Sequence, residues 1–314
     1  MKHKLKIFIL LLLIALIVCL IFLALTRKQP VIIIEDFPSK SYSRIISLAP
    51  STTEILFALG LGDKVIGVSE FCNWPPQAKE IPKVGGLLNP NYEAIVAAKP
   101  DLVIVFEEML KPEDKFAALG IETLVVKHDS LDEILDSIVL IGQNCGQAER
   151  AETMVSELET KMQIIKNCCA NQPRPKVLIS VGHNISQNPD KSPANIYIAG
   201  KDDFYSTMLE TAGGQNAYTG NIAFPAVGYE SVISMNPEII IDIVSVEQNR
   251  LDPEIIIKQW KNFSLVDAVK NNRIYIFGEN YIAIPGPRFI LTLEKIARVI
   301  NPELKLENDE RKSN

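Results

Sequence analysis

This chain contains few histidines, and their spacing is not that of a metal site. The 314 residues include three His, of which only His128 and His183 lie beyond the first few positions. A transition-metal site built from several histidines is therefore excluded. The sequence also contains no P-loop, no GxSxG turn and no HExxH helix. The nucleotide-binding, serine-hydrolase and metalloprotease classes that carry these motifs are not indicated.

Cysteine and positive charge are also limited. The five cysteines form no CxxC pair, so neither a zinc ribbon nor a disulfide framework is indicated, and the disulfide state stays open for Cys72, Cys145, Cys168 and Cys169. The 32 basic residues are outnumbered by 38 acidic ones, which gives a net charge of −6. A nucleic-acid partner is not expected, because phosphate binding requires clustered Lys and Arg. The length corresponds to about two domains.

The first 29 residues differ from the rest and predict a membrane anchor. An unbroken apolar run from Ile7 to Leu25 is flanked by five Lys and Arg, and no acid occurs before Glu35. The run is long enough to approach the thickness of a bilayer. Cleavage as a signal peptide is the alternative, and its best site, near Ala24, is weak. Either outcome places the body at the periplasmic or extracellular face of the cytoplasmic membrane.

Residues 43–143 predict an α/β lobe. Strand-like runs at 44–48, 65–69, 102–106 and 123–126 alternate with helical segments, as in a mainly parallel sheet. Ser51 and Glu54 have the spacing of a capping box at the start of the first helix. Ser130 and Glu133 have the same spacing at the start of a later helix.

A long helix and a second α/β lobe are predicted next. Residues 147–168 carry apolar positions at helical spacing without Gly or Pro, which predicts one continuous helix of roughly 33 Å, and residues 144–170 are assigned as the connecting-helix segment. Residues 171–302 form the second lobe, beginning with a strand at 176–181. Residues 303–314 form a charged tail. The predicted fold has two α/β lobes with mainly parallel sheets, joined by the helix.

An internal repeat relates the two lobes. The segment from Tyr92 through Ile104 matches the segment from Tyr229 through Ile241, and every matched pair is 137 residues apart. The shared pattern is a helix, a proline and a buried strand. This offset is too long for a solenoid and indicates two similar lobes.

Candidate ligand-binding residues follow from strand ends and from loop aromatics. Ser51 and Thr52 follow the first strand and offer hydroxyls at a helix N-terminus, although capping alone would also explain them. His183 follows a strand of the second lobe, where open α/β sheets bind ligands, although a polar turn explains it equally well. Aromatic residues beside prolines in loops complete the set as walls of a cleft: Trp74, Phe224 and Tyr281.

These segments together resemble a known family. The run from Arg44 to Glu54, the loop Cys72 to Pro76, the repeat, and Pro285-Gly286-Pro287-Arg288 are similar to the helical-backbone solute-binding proteins of ABC importers for cobalamin, ferric siderophores and haem. The resemblance spans about residues 43–302. It implies a metal chelate held between two lobes with little hinge closure.

The resemblance also implies roles for individual residues. Glu93 and Glu230 match the acid on each lobe that docks onto the membrane permease, which works with an ATPase. Trp74 and Phe224 match aromatics that contact cobalamin, and Arg288 completes the ligand-binding set. Leu87, Ala283 and Ile284 depart from the cobalamin binder, which leaves ferric siderophore or haem open. No cofactor is expected apart from the cargo, a cobalt corrinoid or Fe(III) chelate.

Two other interpretations stay open. One is an enzyme such as a metal chelatase on a similar scaffold, with His183 and Glu279 as proton acceptors. It is disfavoured because no nucleophile with an adjacent base is present, and we predict no enzymatic activity. The other is a tethered sensor module without a permease.

Overall fold

The computed structural model describes residues 41–109, 115–184, 186, 188–201, 203–244 and 252–304. The predicted membrane anchor, 1–29, lies outside these ranges, as does most of the predicted charged tail. Across the described ranges, none of the helices combines the length and the apolar character needed to cross a membrane.

The first sheet is fully parallel and has four strands in the order β2-β1-β3-β4. The strands are β1 (Ile45–Ser47), β2 (Val65–Val68), β3 (Leu102–Phe106) and β4 (Thr123–Val126). Every residue of β1 and β3 is buried. Continuous apolar runs of this kind are typical of strands that are covered on both faces. The four strand predictions are confirmed to within one or two residues.

Four helices accompany this sheet. They are α1 (Pro50–Ala58), α2 (Tyr92–Ala98), α3 (Lys115–Ala118) and α4 (Leu131–Asn144). The start of α4 is as predicted, because the Ser130 hydroxyl accepts a hydrogen bond from the Glu133 N–H. The start of α1 differs from the prediction. Ala49 is its N-cap without a side-chain bond, Pro50 takes the first turn, and Ser51 therefore lies inside the helix.

The predicted connecting helix is confirmed as α5 (Ala148–Cys169), with 22 residues. Its buried positions are Ala151, Leu158, Ile165 and Cys169, which recur at intervals of seven and four and so form one narrow stripe. This stripe packs against α4, and against α6 (Phe204–Thr211) and α10 (Phe289–Ile300). The helix therefore contacts elements that precede it and elements that follow it.

The second sheet is mainly parallel, as predicted, and one of its strands is reversed. Strands β5 (Lys176–Asn184), β9 (Ile239–Ile243) and β10 (Ile274–Phe277) are parallel neighbours, and the short β7 (Gln215–Asn216) pairs parallel with β5. By contrast, β6 (Ala194–Ile198) runs antiparallel to β5, and β8 (Ala226–Val227) runs antiparallel to β6. The chain between β5 and β6 contains no helix in its described residues, and a parallel crossover needs a longer connection.

Three further helices cover the second sheet: α7 (Tyr229–Met235), α8 (Pro253–Lys261) and α9 (Asp267–Lys270). The predicted repeat is visible here. Helices α2 and α7 each have seven residues and end at a left-handed residue, Lys99 and Asn236, followed by a proline and a fully buried strand. Both halves of the chain thus use the same helix–turn–strand unit, and the α/β fold class is confirmed.

The main hydrophobic core is shared by the two sheets. It includes Ile104 of the first sheet, Leu158 of α5, Ile241 of the second sheet and Leu293 of α10. Apolar burial of this extent is the main stabilising contribution in such a fold. One core therefore spans both sheets and α5.

Candidate functional site

A cleft lies where the carboxyl ends of strands from both sheets meet. It consists of a larger cavity of about 610 Å³ and a smaller one of about 320 Å³, which share Pro50, Phe71, Ala283 and Ile284 as lining residues. We call the two together the inter-sheet cleft. Ligands of open α/β sheets bind at this end of the strands, so the position fits a binding site.

The larger cavity is mainly apolar. The residues that line it are Pro50, Ser51, Phe71, Leu87, Phe106, His128, Asp129, Asp203, Phe204, Ala223, Phe224, Ala283, Ile284 and Pro285. Phe71 and Phe224 keep 56% and 45% of their surface exposed. Exposed aromatic surface gathered in a concave site indicates a ligand with a large apolar face. Of the predicted residues, the structure brings Ser51 and Phe224 into this cavity.

Thr52 does not reach the cleft, so its assignment as a ligand-binding residue is wrong. It is buried, and its hydroxyl donates to the Ala49 carbonyl oxygen at 3.0 Å and lies 2.6 Å from the Ser47 hydroxyl. This bonding follows from the earlier helix start. Because α1 begins at Pro50, Thr52 is in the first turn and bonds back to the preceding backbone.

Trp74 and Tyr281 are placed around the Arg288 guanidinium. The centre of that group is 4.6 Å from the Trp74 ring and 5.6 Å from the Tyr281 ring, distances at which cations interact with aromatic faces. Trp74 and Arg288 both line the smaller cavity, and Trp74 is 40% exposed. Arg288 also donates to the Asn280 side-chain oxygen at 2.8 Å.

Arg288, which lines the smaller cavity, is also held by an ion pair within the protein. Its Nε and one terminal nitrogen donate to the two carboxylate oxygens of Glu54 at 3.0 and 2.6 Å. Glu54 is on α1 beside the first sheet, and Arg288 directly precedes α10 after the second. Burial raises the pKa of the Glu54 carboxyl above its ordinary value, although the bonds and charge of Arg288 act the other way. We call this contact the Glu54–Arg288 latch.

His183 is buried away from the cleft, so its assignment to the ligand is wrong. Its Nε2 lies 2.7 Å from Asp242 Oδ2, the indole N–H of Trp260 donates to the same oxygen at 2.7 Å, and neither ionisable side chain is exposed. The reason is that β5 extends to Asn184, which places His183 inside the strand instead of after it. Burial lowers the pKa of His183, but the hydrogen bond and charge of Asp242 outweigh it, so the pKa lies above its ordinary value.

The proton acceptors suggested for a chelatase are not brought together. Glu279 lines the smaller cavity and forms an ion pair with Lys295, whereas His183 is enclosed beside Trp260. Burial would raise the pKa of Glu279, but its bond with Lys295 holds that pKa below the ordinary value. A carboxylate held in its charged form by a lysine is a poor proton acceptor at neutral pH.

Several cleft residues were missed from the sequence. Phe71 lines both cavities, and its position directly before the Cys72-Asn73-Trp74 loop was the available signal. Asp203 lines the larger cavity and caps α6 by accepting from the Ser206 N–H at 2.8 Å. Burial raises the pKa of the Asp203 carboxyl above its ordinary value, although the backbone hydrogen bonds that it accepts act in the opposite direction. Phe106 and His128 were visible only as residues at strand ends.

Glu93 and Glu230 occupy equivalent positions in the repeat. Each is the second residue of its helix, α2 and α7, and each is exposed. Within the described part of the chain, neither carboxylate has a hydrogen-bond or ion-pair partner. The structure therefore presents two free carboxylates on pseudo-equivalent helices, outside the cleft.

Comparison with known proteins identifies the family. Residues 45–281 match the family model described as periplasmic binding protein. An ABC transporter substrate-binding lipoprotein of Bacillus subtilis is 31% identical over 269 residues, which cover 84% of this chain and 82% of that protein. The solved vitamin B12-binding protein of Vibrio cholerae is 26% identical with a TM-score of 0.68, covering 83% and 97%. A periplasmic heme-binding protein of Roseiflexus, 24% identical with a TM-score of 0.71 over 83% and 98%, shares the fold. The chain belongs to the periplasmic binding protein family.

Proposed function

We propose that this protein is the extracytoplasmic substrate-binding component of an ABC importer and that it captures a metal chelate in the inter-sheet cleft. The observation that carries the proposal is the composition of the cleft. Large exposed aromatic rings and a few polar groups line a concave site of several hundred Å³, which is the usual make-up of a small-molecule site. The protein binds the cargo and delivers it, and it does not act as an enzyme.

The charges in the larger cavity favour a corrinoid among the candidate chelates. Its ionisable lining residues are His128, Asp129 and Asp203, and among the residues that the structure describes, no lysine or arginine lines it. The one arginine of the smaller cavity, Arg288, is neutralised by Glu54. A polyanionic ferric siderophore or the propionates of haem would require basic partners. A cobalt corrinoid, which is neutral or cationic, does not.

The relatives support the same class of cargo. One solved relative binds vitamin B12 and another binds heme, and the Bacillus subtilis relative is named as a substrate-binding lipoprotein of an ABC transporter. In the cleft, Leu87, Ala283 and Ile284 depart from the cobalamin binder and make the wall more apolar, which keeps haem and ferric siderophores as the alternative cargoes. We infer a corrinoid held mainly by apolar contact.

The delivery step uses Glu93 and Glu230. Two equivalent carboxylates on pseudo-symmetric helices match a permease dimer that presents the same basic surface twice. The N-terminal apolar segment, 1–29, would tether the protein at the outer face of the cytoplasmic membrane, close to that permease.

Titration of the purified protein with candidate chelates tests the proposed function. The fluorescence of the two tryptophans should respond differently to a ligand in the cleft, because Trp74 lines the cleft and Trp260 is fully buried. We expect aquacobalamin to quench the fluorescence of Trp74 saturably, and we expect Trp74→Phe to lose most of this quenching while calorimetry still detects binding.

The same titration separates the alternatives. Haem and several ferric siderophores serve as comparison ligands. Saturable binding of none of these compounds would reject the chelate proposal. Insertion of a metal ion into free porphyrin would support a chelatase instead.

A further inference from the structure

Three metal-ligating side chains converge at one wall of the inter-sheet cleft. Glu108, His128 and Asp129 each offer a ligand atom, and these atoms all lie within 4.8 Å of one another. His128 and Asp129 line the larger cavity. The comparisons assign no role to these residues.

The register of the first sheet brings these residues together. Strands β3 and β4 are parallel neighbours and their last paired residues are Phe106 and Val126. The residues directly after the two strands, Glu107 and Lys127, form an ion pair at 3.2 Å. The two segments therefore stay side by side just beyond the strands. Beyond them, Glu108 lies in the short 3-10 helix Glu107–Met109, and His128 directly follows Lys127. Two strand ends therefore supply the cluster, although its members are about 20 residues apart in sequence.

The His128 ring is oriented and partly desolvated. The Phe106 ring meets it edge to face, with centroids 3.9 Å apart and an interplanar angle of 81°. Its Nδ1 lies 3.3 Å from Asp129 Oδ1, and no hydrogen bond to its Nε2 occurs within the described ranges. The side chain is 26% exposed. A ring held in this way loses little freedom when it binds a metal ion.

The donor set suits a divalent transition metal. A neutral imidazole with two carboxylates balances two positive charges, and nitrogen and oxygen donors of this kind bind Zn²⁺, Co²⁺, Fe²⁺ and Mn²⁺. Lys127, the residue before His128, forms its ion pair with Glu107. Three protein ligands also leave a coordination position open, as in catalytic zinc sites. Because His128 and Asp129 face the cavity, that position is directed at the cleft.

We propose that Glu108, His128 and Asp129 bind a transition-metal ion that has exchangeable coordination positions. The ion has two possible sources: a free divalent cation, or the metal at the centre of the cargo chelate. The second source rests on the proposed function and the first does not. For a cobalt corrinoid, a Co–N bond to the His128 imidazole would form and the bond from cobalt to its axial water would break, releasing that water with no change in oxidation state.

Titration of the metal-stripped full-length protein with Co²⁺ tests the site. We expect one equivalent to bind, with the visible absorption of a low-coordinate cobalt complex. His128→Ala and Asp129→Asn should each weaken this binding by at least about tenfold, since even indirect partners of a metal ligand change affinity by 10 to 100-fold. The matched control is Asp132→Asn, an exposed acid outside the cluster, which should bind Co²⁺ as the wild type does. Thermal unfolding of each variant establishes that it is folded.

A second titration identifies the source of the ion. Aquacobalamin has a replaceable axial water, whereas cyanocobalamin does not. A shift of the corrin spectrum with aquacobalamin alone, lost in His128→Ala, supports the cargo metal; bound Co²⁺ without such a shift supports a free cation. Equal Co²⁺ binding by wild type and by both cluster variants, or no binding beyond that of surface carboxylates, would overturn the inference. Neither result would alter the quenching by chelates on which the proposed function is judged.

Discussion

The double variant Glu93→Ala with Glu230→Ala is expected to reduce chelate uptake by cells at least tenfold, while purified protein binds the chelate with unchanged affinity. Both carboxylates are exposed and unpaired in the described structure, and both lie outside the cleft. Their loss should therefore leave the binding site intact. At a docked interface, by contrast, removing one partner of a charge pair costs about 2–5 kcal/mol. Uptake of radiolabelled or fluorescent chelate, together with calorimetry, measures the two effects separately.

The control for this experiment is a second pair of exposed glutamates. Glu152 on α5 and Glu210 on α6 are also exposed, but neither lies in the repeat. The variant Glu152→Ala with Glu210→Ala removes the same net charge and should transport normally. Undiminished uptake by the Glu93 and Glu230 variant would contradict the docking proposal. An equal loss in the control would show that only net charge matters.

The variant Arg288→Ala is expected to lower the free energy of unfolding by about 3 kcal/mol or more. Glu54 keeps only 4% of its side chain exposed, and Arg288 supplies both of its hydrogen-bond donors. Without Arg288, the Glu54 carboxyl must either stay charged in a dry site or take up a proton. The latch also joins residues 234 positions apart, so its loss weakens the contact between α1 and the segment before α10. Denaturant unfolding monitored by circular dichroism measures the effect.

A more exposed ion pair provides the comparison for the latch. Glu279 and Lys295 are paired, but their side chains are 42% and 29% exposed. Because pairs that contact solvent contribute little, Lys295→Ala should cost less than about 1 kcal/mol. Similar losses for Arg288→Ala and Lys295→Ala would contradict the role assigned to the latch.

The elements that could be predicted from the sequence are those fixed by local patterns. Apolar spacing without Gly or Pro gave α5 to within one residue at each end. The 137-residue offset predicted two equivalent helix–strand units, because the helix, the proline and the strand can each be recognised from the local sequence. The strands of the first sheet were predicted for the same reason, as short apolar runs separated by helices.

The errors occurred where a residue's environment depends on distant parts of the chain. His183 appeared to follow a strand, and only pairing with β6 extends β5 past it. Glu54 had the spacing of a capping residue, but in the folded protein it pairs with Arg288, which lies 234 positions later in the sequence. The cluster at Glu108 and His128 depends on the register of β3 and β4. No local pattern encodes such pairings, so they could not be predicted without the fold.

Filling the inter-sheet cleft tests the central claim most directly. Ala283 is exposed and lines both cavities, so Ala283→Trp places an indole in the space assigned to the chelate. Ala118→Trp, at an exposed position of α3 that lines neither cavity, is the matched control. We predict that calorimetry with the chelate bound by the wild type will show one site per protein. The affinity should be lowered at least tenfold by Ala283→Trp and unchanged by Ala118→Trp. Equal affinities for wild type and Ala283→Trp would contradict the assignment of the cleft as the binding site.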